Sequence, residues 1–134
     1  MQTDFPVWIV GSAKDAPVGA EIERLSGGAS RNLCGRTDLA QAIDLLSCAR
    51  LVVSNDSGLM HVAAALGRPL IAMFGPTEPR RTGPYGQFNS VLHHPLPCAP
   101  CMKDTCDFEK PLECLCALRP ERVLERVPAA LRKI

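Results

Sequence analysis

Leu51 to Thr77, which reads LVVSNDSGLMHVAAALGRPLIAMFGPT, leaves the chain little choice of fold. Leu51, Val52 and Val53 are a short apolar run of strand type that gives way to the polar turn Ser54, Asn55, Asp56, Ser57, Gly58. The spacing predicts a helix from that turn, because Leu59, Val62, Ala63 and Leu66 recur at i, i+3, i+4 and i+7. Gly67 then stands at the C-terminal cap position, and Pro69 blocks continuation. Leu70 to Phe74 is apolar without alternation, as a parallel strand covered on both faces requires. Strand, helix and strand in this order form a crossover, so the expected class is α/β, a Rossmann-like parallel sheet with flanking helices.

Ligands of open parallel sheets gather beyond the carboxyl ends of the strands, which is where Asn55 to Gly58 falls. The first turn of a helix has amide donors without intrahelical acceptors and a partial positive charge, so a small turn entering it can hold phosphate. Gly58 allows close approach of an anion, and His61 lies about one turn further in, on the side away from the apolar stripe. Asp56 and Ser57 are also ordinary helix-capping residues, and capping alone accounts for the turn as well as ligand binding does. The combination of polar turn, glycine, histidine and flanking buried strands favours the phosphate reading.

Elsewhere, Val7 to Val10 predicts a strand ending at Gly11, SAKDAP a loop, and Val18, Ile22 and Leu25 the inner face of a helix that stops at Gly27 and Gly28. Asn32 to Cys34 predicts a brief strand, and Thr37 the cap of a helix whose apolar face is Leu39, Ala42, Ile43, Leu46 and Ala49. After Phe74, GPTEPRRTGPYGQ is rich in Pro and Gly and reads as an ordered irregular loop. Its Arg80 and Arg81 are candidates to meet phosphate, although surface arginines are usually solvated. Asn89 to His94 reads as a last strand. Pro120 suits the first position of a helix striped with Val123, Leu124, Val127 and Leu131, which Pro128 should kink or end.

Composition narrows the function. Fifteen Lys plus Arg stand against fourteen Asp plus Glu, so no basic field argues for nucleic acid. Four Phe, one Tyr and one Trp offer few stacking platforms for single strands. Apolar runs fall far short of the ~20 residues of a membrane span. Met1 to Val10 lacks the basic and apolar regions of a signal peptide, so the cytoplasm is the expected location. Arg119, Arg122, Arg126, Arg132 and Lys133 would suit peripheral contact with an anionic membrane surface, which Glu121 and Glu125 oppose. Cys34 and Cys48 fall in predicted apolar elements and read as buried free thiols.

Cys98, Cys101, Cys106, Cys114 and Cys116 crowd a Cys- and Pro-rich loop spanning 95–118. Cys98 and Cys101 have metal-site spacing, but Cys114 and Cys116 are closer together than a zinc ribbon wants, so the match is imperfect. Cys98, Cys101, Cys106 and Cys114 are the candidate ligands of a metal reading. Free thiols or a disulfide are the opposing one.

SNDSGLMHVAAALGRPLIAMFGPTEPRRTGPYG, with GSAKD and NLCGRTDLAQAIDLLSCA upstream, resembles the signature of the ADP-heptose:lipopolysaccharide heptosyltransferases, glycosyltransferase family 9, across most of Val7 to Val127. The D-S-G-x-x-H core with the following A-A-A-L-G-x-P and F-G-P-T is long and specific. The resemblance implies the carboxy-terminal, donor-binding half of a GT-B enzyme. Its partners would be an ADP-sugar donor and the lipopolysaccharide core acceptor, with peripheral contact at the inner membrane. It also implies that Asp56, Ser57, Gly58 and His61 hold the donor, that Lys14 and Asp15 face its ribose or phosphate, and that Thr37 forms part of the adenine pocket through backbone groups. The general base belongs to the amino-terminal acceptor domain, absent from this sequence, so no catalytic residue is assigned and the chain alone should not turn over. No cofactor is expected, in keeping with the lack of an Asp-x-Asp pair. Some family members carry a similar C-x-P-C pattern and others lack it, which implies a structural loop. Two alternatives stay open: another GT-B nucleotide-sugar enzyme, and a noncatalytic Cys-cluster metal-binding module.

Overall fold

The computed structural model describes residues 5–132. Met1 to Asp4 of the amino-terminal stretch and Lys133 of the basic stripe lie outside the described residues. The chain divides into two compact units, Met1–Leu45 and Leu46–Ile134.

In the first unit, β1 (Val7–Ile9) pairs in parallel with β2 (Ser30–Asn32), Val7 opposite Ser30 and Ile9 opposite Asn32. A 3₁₀ turn, Ala13–Asp15, leads into α1 (Ala16–Leu25), so the SAKDAP segment is partly helical rather than all loop. The predicted inner face of α1 is wrong: Val18 is 63% exposed and Leu25 69% exposed, with Ile22 also exposed. The face against β2 is offset by one residue and runs through Gly19, Glu23 and Ser26. Gly19 is buried, and a Cβ on it would run into the Asn32 side-chain amide. Asn32 donates from Nδ2 to the Ala16 carbonyl (3.0 Å), its N–H donates to Glu23 Oε1 (3.2 Å), and Ser26 Oγ accepts from the Ser30 N–H (3.1 Å). A small residue and three polar ones thus bring α1 close to β2, where an apolar stripe would have held it at side-chain distance.

The second predicted strand begins two residues early, at Ser30 rather than Asn32. The cap of α2 (Leu39–Cys48) is also corrected, from Thr37 to Asp38. Asp38 Oδ1 accepts the Gln41 N–H (2.8 Å) and Gln41 Oε1 accepts the Asp38 N–H (3.0 Å), a reciprocal capping box. Along α2, Ala42 and Leu46 are buried as expected, but Leu39 is exposed. Cys48, expected to be buried, is exposed, because it is the last residue of α2 and lies off that face.

In the second unit, β3 (Val52–Asn55), β4 (Leu70–Phe74) and β5 (Val91–His93) form a parallel sheet in the order β3-β4-β5. The predicted strand at Asn89 begins instead with a 3₁₀ turn, Phe88–Ser90. α3 (Gly58–Ala65) makes the crossover from β3 to β4. The unalternating apolar run of β4 divides between two cores: Leu70, Ala72 and Phe74 pack with Met60 and Ala63 of α3, while Ile71 packs with Leu92, Leu118, Val127 and Ala130. Burial on both sides of a central strand is what continuous hydrophobicity predicts. Pro120 opens α6 (Pro120–Leu124), and Pro128 lies in the first turn of a new helix, α7 (Val127–Leu131), so the expected break occurs ahead of it.

Candidate functional site

The start of α3 is built from the turn after β3. Ser57 has extended backbone (φ −156°, ψ 165°), and its Oγ accepts the Met60 N–H (3.4 Å) and lies 3.2 Å from Ser54 Oγ. By helix geometry the amides of Gly58 and Leu59 then have no intrahelical acceptor. Gly58 is exposed, with nothing within 4 Å of the position a Cβ would take. His61 is exposed one turn along, and helical side chains lean toward the N-terminus, so Ser57 and His61 share a face. Asp56, half-buried, accepts a hydrogen bond from Thr82 Oγ1 (3.1 Å), a partner 26 residues away. Asp56, Ser57, Gly58 and His61 thus lie together beyond the carboxyl end of β3.

In the first unit, Lys14 and Asp15 lie in the 3₁₀ turn beyond the carboxyl end of β1. Thr37 follows the turn after β2, where the Gly35 N–H donates to the Gly11 carbonyl (3.0 Å) and Gly35 lies against Ala13. The two loops therefore abut. Asp15 is engaged locally: its Oδ2 accepts from both the Oγ and the N–H of Ser12, each at 2.7 Å, and these bonds hold its carboxyl below the usual carboxylate range. Lys14 is exposed. An open depression of about 400 Å³ in this unit, bordered by Pro6, Trp8, Glu23 and Arg31, sits at the amino ends of the strands, away from these loops.

The late loop folds back over the carboxyl end of β4. Cys114 and Leu115, in α5 (Glu113–Cys116), lie against Gly75, and the Met102 N–H donates to the Pro76 carbonyl (2.8 Å). The Leu112 N–H donates to Cys106 Sγ (3.2 Å), and all seven cysteines are free. Among the described residues no group of three or more His, Cys, Asp or Glu is placed to hold one metal ion.

Burial, then the charge of Asp15, pushes the Cys34 thiol up; burial, then the neighbouring Cys106, Cys101 and Cys98 sulfurs, pushes up Cys114. Thiols raised in the fold add stability that is complete below the unfolded thiol pKa and is lost as pH rises through the folded value. They also withhold thiolate. At pH 8, iodoacetamide should label Cys48, Cys98, Cys106 and Cys116 quickly and Cys34 and Cys114 at least about tenfold more slowly, as read by peptide mass spectrometry. Equal rates at all sites would contradict this packing.

A parallel sheet whose crossover helix starts beyond a strand's carboxyl end defines the class, a Rossmann-like α/β protein. The family model described as glycosyltransferase family 9 (heptosyltransferase) matches residues 1–112, and the chain belongs to that family. It is 51% identical over 92 residues to lipooligosaccharide heptosyltransferase 2 of Haemophilus influenzae and 45% identical over 92 residues to lipopolysaccharide heptosyltransferase 2 of Escherichia coli. Each match covers 66% of this chain, and 27% and 26% of the respective relatives. The solved structure of E. coli ADP-heptose lps heptosyltransferase II matches 96% of this chain with a TM-score of 0.78 and 38% identity. A family 9 glycosyl transferase from Veillonella parvula, 20% identical, shares the fold with a TM-score of 0.77 over 97% of this chain. The chain spans 37% of each of those two structures.

Thr82 is the site residue that the sequence reading missed. Its hydroxyl reaches Asp56 only through tertiary packing, and the one available signal was its place in a loop leaving a neighbouring strand's carboxyl end.

Proposed function

We propose that this chain is the donor-binding half of a heptosyltransferase that moves heptose from ADP-heptose to a sugar hydroxyl of the lipopolysaccharide inner core. The observation that carries this reading is the start of α3, where Ser57 caps the helix, Gly58 leaves open space above the first amides and His61 stands exposed on the same side. Departure of ADP concentrates negative charge on the diphosphate. Amide dipoles fixed at the helix start stabilise that charge as it develops, at no cost in reorganisation, and His61 adds a hydrogen bond. Inversion at the anomeric carbon needs a base on the acceptor side, which this reading assigns to the rest of the full-length protein.

Lys14, Asp15 and Thr37 are proposed as nucleoside contacts from the two abutting loops of the first unit. Since Ser12 already occupies Asp15, Lys14 is the stronger candidate of that pair. No cofactor is invoked beyond the donor itself. The reading places the protein in the cytoplasm, with peripheral contact at the inner membrane through exposed Arg119, Arg126 and Arg132. Among the described residues no helix is long and apolar enough to cross a membrane.

Calorimetric titration with ADP and UDP, repeated on His61→Ala, tests the proposal. Saturable binding that prefers ADP and weakens about tenfold in the variant, ~1.4 kcal/mol, is the expected result. Equal affinity for UDP, an unchanged variant, or no binding of either nucleotide would overturn it.

A further inference from the structure

Asp56 presents a problem for a diphosphate site, because a carboxylate beside phosphate repels it. The loop after β4 supplies an answer. Within that loop α4 (Pro79–Thr82) is a single turn fixed at both ends: Glu78 Oε1 accepts the Arg80 N–H (3.0 Å), and the Gly83 N–H donates to the Pro79 carbonyl (2.8 Å). The Glu78 carbonyl accepts from the N–H groups of Arg81 and Thr82, and Thr82 Oγ1 lies 3.3 Å from the same oxygen. The single Thr82 hydroxyl proton faces two acceptors. The charged Asp56 Oδ2 at 3.1 Å is nearer than the Glu78 carbonyl at 3.3 Å and takes it as the stronger acceptor, while the backbone bonds of the turn fix where Thr82 stands. Both residues are half-buried, which limits competition from water.

Resting on the donor-site reading, we propose that Thr82 is a positioning residue that turns the Asp56 carboxylate away from the diphosphate and presents its second oxygen to a hydroxyl of the donor sugar. A sugar hydroxyl can donate to a carboxylate and an ionised phosphate oxygen cannot, so this oxygen reads the sugar alone. The bond also ties the turn after β3 to the loop after β4 in one arrangement, so the carboxylate is oriented before the donor arrives.

The test compares wild type, Thr82→Val and Thr82→Ser in titrations with ADP and with ADP-heptose. Valine keeps the shape of threonine and removes the hydroxyl. Affinity for ADP-heptose should fall about tenfold in Thr82→Val, ADP affinity should hold within about twofold, and serine should restore both. In an Asp56→Asn background, Thr82→Val should add little further loss. Equal losses for ADP and ADP-heptose would reveal general loosening and overturn the proposal, as would an unchanged Thr82→Val. Hydrogen exchange on ligand-free protein separates this failure from failure of the donor reading. Peptides covering residues 54–60 should exchange faster in Thr82→Val, and an unchanged rate removes the tie whatever the nucleotides do. Wild type that binds no ADP overturns the donor reading and this inference together.

Discussion

Phe74→Ala is expected to cost about 3–5 kcal/mol of stability, the range for emptying a well-packed aromatic site. Phe74 is 1% exposed at the end of β4 and packs with Met60 and Ala63, both fully buried, on the α3 side of the sheet. The backbone around it is held on both edges, by β3 pairing up to Met73 and by Phe74 itself lying opposite His93 of β5, so the site cannot collapse to fill the void. A domain of this kind has only ~5–15 kcal/mol to lose, and the variant should sit near the edge of folding. Urea denaturation followed by circular dichroism measures the loss. Tyr85→Ala is the control: Tyr85 is 88% exposed and should shift stability by less than about 0.5 kcal/mol. A Phe74→Ala cost below about 1 kcal/mol would mean that the α3 core is not packed as described.

Gly58→Leu should separate fold from function in the opposite direction. A side chain there meets nothing within 4 Å, and a first-turn leucine is no worse a helix former than glycine, so the thermal midpoint should hold or rise slightly. The same side chain stands over the first amides of α3, where the diphosphate is proposed to bind, and ADP affinity should fall at least about tenfold. Gly67→Leu provides the contrast. Gly67 also has open space around it, but its φ of +65° suits glycine, so leucine there should lose about 1–2 kcal/mol of stability. ADP binding that survives Gly58→Leu would move the phosphate site away from the start of α3.

The legible part of this protein is the segment from Val52 to Phe74. Its helix is marked at both ends, by the Ser57 cap and by Gly67 with Pro69, and its strands are marked by apolar runs. The turn residues Asp56 to His61 were legible as a candidate site for the same reason: capping chemistry and anion binding use the same unpaired amides. The cap of α2 was also written in the sequence, as Asp38 followed three residues later by Gln41, a pattern that outranks Thr37 because it satisfies two donors at once.

Other features were not legible. The helical period of Val18, Ile22 and Leu25 is present, yet these residues are exposed, because α1 approaches β2 through Gly19 and the hydrogen bonds of Asn32, Glu23 and Ser26. Periodicity reports which residues share a face, but it cannot say whether polar bonds to another element hold a different face inward.

Sequence alone determined the order of elements from β3 to β4, the parallel crossover and the polar turn at the start of α3, because propensity, capping and hydrophobic period act over a few residues. Only the tertiary structure decided that Thr82 meets Asp56, that Cys114 lies against Gly75 and that Gly19 faces Asn32. Each joins residues brought together when strands pair and helices pack, and no local pattern records which distant partner a side chain will find.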